Sequence, residues 1–143
     1  MPKIKKNIVD IKTSATLAIN ELSQKLKNRG QEIYKFGLGQ SPFPVPQIIV
    51  EELKKNAQQK NYINVSGLIE LRNLVAQYHT IKNKNNYTAD NVIIGPGSKE
   101  LIFHTQLVLD CDVLLPSPSW VSYEPQAQIL NKKIHWIKTD ETT

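Results

Sequence analysis

The chain is poor in the residues that most often announce a function. Its one cysteine, Cys111, cannot form a disulfide within the chain, and that usage suits a reducing compartment. Its three histidines, His79, His104 and His135, show no metal-ligand spacing, so no metal is expected. No apolar run approaches the roughly 20 residues of a membrane-spanning helix, and no signal-peptide core follows the basic start. The expected location is cytoplasmic, with no membrane partner. Arginine is confined to Arg29 and Arg72. The net charge of +5 therefore rests on scattered lysines without interleaved aromatics. That pattern describes solvated helix faces and argues against a nucleic-acid partner.

What remains is ordinary globular material, 40% hydrophobic and 22% charged, at the length of one domain. Its organising stretch runs from Asn91 to Tyr123. Val92, Ile93 and Ile94 are a short β-branched run bounded by Gly95-Pro96-Gly97, which predicts a buried strand. Ser98 stands where a helix would start, and Val113-Leu114-Leu115 predicts a second strand. Strand, glycine turn, helix and strand make a βαβ unit. The amides of Gly97, Ser98 and Lys99 would face out of a helix N-terminus, where the dipole favours an anion such as a phosphate. An ordinary β-to-α turn with a serine cap reads equally well from the turn alone.

Two nucleotide motifs are absent. Gly95-Pro-Gly-Ser-Lys-Glu100 lacks the Gly-Lys-Ser/Thr order of a P-loop and the third glycine of a dinucleotide fingerprint. The second strand leads into Ser117-Pro-Ser-Trp-Val-Ser-Tyr123. Loops after successive strands of an open parallel sheet share one edge, so Trp120 is expected beside the glycine turn. A phosphate cradle next to an indole suits a ligand with a phosphate at one end and an aromatic ring at the other. Trp120 on its own reads as a core aromatic.

These residues resemble the large-domain segments of class I/II aminotransferases, the aspartate-aminotransferase-like enzymes of fold type I that use pyridoxal 5′-phosphate (PLP). The resemblance rests on Gly95-Pro-Gly-Ser-Lys-Glu-Leu101, Pro118-Ser-Trp-Val-Ser-Tyr123 and Tyr62…Gly67-Leu-Ile-Glu-Leu-Arg72. It implies that Gly97, Ser98 and Lys99 hold the cofactor phosphate and that Trp120 stacks on the pyridine ring. It also implies that Tyr62 reaches the neighbouring subunit's phosphate in a homodimer, and that Gly39 lies near the substrate α-carboxylate. Gln40-Ser41-Pro42 departs from the family's usual Glu-Pro-Asp after that glycine, and Asp110-Cys111-Asp112 from its Pro-Gly-Asp turn.

Taken in order, residues 1–12 are expected as a loose basic arm. Ala15, Ile19, Leu22 and Leu26 mark a helix stopped by Gly30. Ile33 to Leu38 reads as a strand, and Pro42, Pro44 and Pro46 as a stiff extended loop. Pro46 opens a helix with Ile49, Leu53 and Ala57, or Val50 and Leu53, inward. Ser66 is expected to cap the next one, with Leu68, Leu71, Val75 and Tyr78 inward and His79 at its end. Glu70 and Arg72 are read as structural ion-pair partners. The helix after Gly97 is apolar nearly all round and expected between layers. Ala127 and Leu130 continue a helical face, and Ile134 with Trp136 alternates as a third strand.

The expected architecture is thus α/β, the opening βαβαβ of a PLP-dependent large domain with an incomplete sheet. Residues 1–32 would form an arm and helix against a small domain or across a dimer, and residues 33–143 the front of the large domain. The resemblance covers about Ile33 to Lys138 and only the front part of a family member. No lysine here matches the one that holds the cofactor as a Schiff base, and neither the acidic partner of the pyridinium nor the carboxylate-clamping arginine is reached. The chain is therefore expected to be a truncated or partial aminotransferase, inactive alone. With its remainder it would transfer an amino group from an amino acid to a 2-oxo acid. The alternative is a non-catalytic module binding a phosphate ligand or a subunit.

Overall fold

The computed structural model describes residues 2–140. In chain order the helices are α1 (Lys6–Val9), α2 (Ala15–Asn28), α3 (Gln47–Asn56), α4 (Ile69–Asn83), α5 (Ser98–Val108) and α6 (Tyr123–Ile129). A 3-10 turn, Ala89–Asn91, precedes α5, and the strands are β1 (Val113–Ser117) and β2 (Ile134–Lys138). Met1–Gln40 with Ile102–Thr143 makes up one compact unit, and Ser41–Leu101 the other.

In the first unit β1 and β2 pair in parallel, Val113 opposite Ile134 and Ser117 opposite Lys138. A parallel pair needs a crossover, and α6 supplies it. Ala127 of α6 and Leu115 of β1 are the buried apolar residues of this unit. Both strands and α6 therefore stand where the apolar run, the helical face and the alternation of the sequence put them. The expected loose arm carries α1 instead. Asn7 donates its amide to the carbonyls of Ile129 (2.7 Å) and Gln128 (3.3 Å). The last carbonyls of a helix have no partner within it, and Asn7 satisfies two of those of α6.

Helix α2 ends as expected at Gly30, which takes φ +81°. The amide of Gly30 donates to Lys27 and that of Gln31 to Leu26, closing a Schellman motif that needs the left-handed residue. The segment 33–38 is not a strand. It is tied to α2 by side chains: Lys35 Nζ donates to Gln24 Oε1 at 2.8 Å, and Gly37 sits where a Cβ would come within 2.9 Å of Ile19.

In the second unit Pro46 precedes α3 at its N-cap, and residues 41–46 form neither helix nor strand. Helix α4 differs from its expected form in three ways. Leu68, not Ser66, is its N-cap. Its buried residues are Arg72 and Ala76, so the inward stripe lies one position beyond Leu71 and Val75, while Leu71 and Tyr78 are exposed. It also runs past His79 to Asn83, where Lys84 ends it in the left-handed region.

The expected first strand, Val92–Ile94, is not a strand and pairs with none among the described residues, and Ile93 is exposed where a buried run was expected. A β-branched run sets the backbone dihedrals, but a strand also needs a ladder partner. The described sheet is therefore β1–β2, with β1-α6-β2 in place of the longer βαβαβ. Helix α5 buries none of its residues, and Leu107 and Val108 are exposed, so the described residues do not cover its apolar circumference.

Candidate functional site

The glycine turn lies in the Ser41–Leu101 unit, and its geometry is set before the turn itself. Thr88 and Asn91 close a reciprocal capping box around the 3-10 turn. Val92 follows at φ −124°, ψ 129°. The amide of Ile94 donates to the carbonyl of Ser66 at 2.9 Å. Gly67, at φ +99°, permits that approach: a Cβ there would lie 2.5 Å from Ile94 Cβ. The glycine of Gly67-Leu-Ile-Glu-Leu-Arg72 is thus required twice over, by conformation and by space.

The two glycines of the turn serve different ends, and neither takes a left-handed φ. Gly95 packs against Leu101, whose Cδ2 would lie 2.8 Å from an added Cβ. Gly97 has nothing within 4 Å of that position, so its backbone is open to approach. Helix α5 starts at Ser98, and the carbonyl of Gly97 accepts the amide of Leu101 at 3.3 Å. First-turn amides have no intrahelical acceptor, and the helix dipole is positive at that end. An open glycine backbone at the start of a helix is the kind of place where an anion can be held, and Gly97 with Ser98 stands there. Tyr62 belongs to the same unit, and its side chain is fully exposed, as is that of nearby Val65.

Trp120 and Gly39 belong to the other unit. Trp120 follows β1 after a cis Ser117–Pro118 bond and meets Tyr123 edge-to-face, with centroids 5.3 Å apart and planes at 81°. It is exposed and lines a cavity of about 540 Å³ together with Asp10, Lys12, Ser14, Ser117 and Trp136. The cavity's wall from Asp10 to Lys12 had no sequence signal, because a basic arm without periodicity reads as solvent-facing. Gly39 has nothing within 4 Å of an added Cβ.

Arg72 is the residue whose role the sequence understated. It is 7% exposed. Its Nε donates to Ala89 O (3.0 Å) and Val92 O (2.9 Å), and its Nη2 to Ala89 O at 2.6 Å. The carboxylate near it is Asp90, at 3.5 Å, not Glu70. Residues two apart on a helix do not face each other, so Glu70 is on the wrong side. Its place at the end of the Gly67–Arg72 motif was the available signal. Among the described residues no group of three or more histidine, cysteine or acidic side chains could hold a metal ion, and no helix is long and apolar enough to cross a membrane.

The family of aminotransferases of class I and II matches residues 31–142. An aspartate aminotransferase of Bacillus subtilis is 29% identical over 141 residues, which are 95% of this chain and 36% of that protein. An asparagine–oxo-acid transaminase of Streptococcus mutans is 27% identical over 99% of this chain and 37% of its own length. Among solved structures, the aspartate aminotransferase of Thermotoga maritima superposes with a TM-score of 0.84 at 26% identity, covering 97% of this chain and 38% of that one. The chain thus spans little more than a third of the length of these relatives. Motifs, fold and sequence agree: the chain belongs to the class I and II aminotransferases, and it corresponds to their N-terminal portion.

Proposed function

We propose that the chain forms the cofactor-cradling front of a PLP-dependent aminotransferase, which moves an amino group from an amino acid to a 2-oxo acid. The observation that carries this reading is the open backbone at Gly97, set at the start of α5. There the first-turn amides of Gly97, Ser98 and Lys99 hold the phosphate with the helix dipole behind them. The room at Gly97 fits an approaching phosphate, and the exposed indole of Trp120 suits a pyridine ring. Tyr62, fully exposed, reaches the neighbouring subunit's phosphate in a homodimer, and Gly39 presents its backbone near the substrate α-carboxylate. When bound, PLP supplies an electron-withdrawing ring for the amino transfer.

In this reading residues 1–32 contact a small domain or the dimer partner, residues 33–143 begin the large PLP-binding domain, and the enzyme works in the cytoplasm. The lysine that holds the cofactor covalently has no counterpart among the motifs present, so the 143-residue chain is inactive alone. An absorbance titration with PLP from about 300 to 450 nm, followed by borohydride, tests this. Weak, reversible binding without a stoichiometric reduced adduct is the expected result. A stoichiometric adduct would mean that a lysine of this chain already serves, and the reading would fall.

A further inference from the structure

We propose that Arg72 is a positioning residue for the anion-binding turn, acting through the backbone from Ala89 to Ile94; this rests on the reading of Gly97–Lys99 as a phosphate site. A buried guanidinium is costly unless its charge and donors are met. Here they are met mainly by carbonyls. Ala89 O and Val92 O, at either side of the 3-10 turn, accept from the one planar group at 2.6–3.0 Å. Asp90 sits at 3.5 Å with a side chain 95% exposed, so it adds little. Arg72 thus fixes the angle between two carbonyls, and with it the direction in which the chain leaves the turn.

The next ties fall in sequence. Ile94 donates to Ser66, Gly67 lets the two backbones meet, and Gly95 abuts Leu101. Ala89, Val92, Ile94 and Gly95 are each pinned, and Gly97 follows two residues on. An error in the exit direction at Val92 therefore moves the amides of Gly97 and Ser98. A lysine at position 72 cannot replace the fork, because an ammonium is a point charge without a plane.

The test is a titration of the ¹⁵N-labelled full chain with inorganic phosphate, read at the Gly97 and Ser98 amides by NMR. Wild type, Arg72→Ala, Arg72→Lys and Ala76→Gly are compared. The last substitution weakens the same helix at another buried position and reports what destabilisation alone does. Arg72→Ala should bind phosphate about tenfold more weakly, and Arg72→Lys by a smaller factor. Both should show shifted Gly97 and Ser98 resonances before any phosphate is added. Ala76→Gly should unfold earlier and bind as wild type does. If Arg72→Ala fails to fold, Arg72→Lys decides. A wild type whose two amides ignore phosphate overturns the phosphate reading and this proposal with it. A wild type that responds, with Arg72 variants that respond equally, overturns the positioning role alone.

Discussion

Gly67→Ala separates a structural glycine from a functional one within the same unit. The backbone at Gly67 has φ +99°, a region an L-residue enters at a cost of about 1–2 kcal/mol. The new Cβ would also meet Ile94 Cβ at 2.5 Å, Cγ1 at 3.0 Å and Cα at 3.4 Å. The Cα is backbone and the Cβ is one bond from it, so relief requires Ile94 to withdraw. Overpacking of that kind adds about 1–3 kcal/mol. Together the local cost is about 3 kcal/mol, and it falls on the Ile94–Ser66 hydrogen bond that the approach permits. Amide hydrogen exchange at Ile94 reads it directly: protection should drop by about two orders of magnitude. Gly97→Ala is the counterpart. With no neighbour within 4 Å and no left-handed φ, it should leave Ile94 protection within about 0.5 kcal/mol of wild type while obstructing an anion. Should Gly67→Ala leave Ile94 exchange within about threefold of wild type, the account of a close backbone approach is wrong.

Leu115→Ala removes one of the few buried apolar side chains among the described residues, and should cost about 2–5 kcal/mol in chemical denaturation followed by β-sheet circular dichroism. Gly30→Ala meets no neighbour but keeps φ +81°, so its cost is conformational only, about 1 kcal/mol, read as fraying of α2 by exchange at Gln31. Asn7→Ala takes a donor from the last carbonyls of α6, and should raise exchange at the C-terminal amides of that helix by about fivefold, or about 1 kcal/mol. Trp120→Phe should leave the fold unchanged and weaken stacking of a pyridine ring, so phosphate binding at the Gly97 amide should survive while PLP binding falls.

Local rules were legible where the structure satisfies them locally. Gly30 stopped α2 because a Schellman motif needs only six consecutive residues. β1, α6 and β2 were legible because a crossover unit closes on itself, with Ala127 and Leu115 buried inside it. Faces that depend on distant material were not. α5 leaves Leu107 and Val108 exposed and α2 bears Leu17, Ile19 and Leu22 on its surface, because periodicity reports that a face is apolar without naming what meets it. For α4, counting leucines placed the inward stripe one position early. The buried register is set by Arg72, a charged residue that hydrophobic patterning leaves out.

The segment Val92–Ile94 shows why the strand expected before the turn was not legible. Its β-branched side chains specify an extended backbone, and Val92 is extended. On one side its polar groups are taken by the Ser66 carbonyl and the Arg72 guanidinium, both supplied by Asn64–Arg72. A strand would have drawn such bonds from a ladder. Here they come from a helix start and a side chain, and either source sets the same direction of approach to Gly97. The turn motif and the Gly67–Arg72 motif lie about two dozen residues apart in sequence and meet in one structure. In the proposed reading, one carries the amides and the other holds the backbone that aims them. Altering either should therefore register at the same pair of amides, Gly97 and Ser98, although no atom of Arg72 is required to touch a ligand.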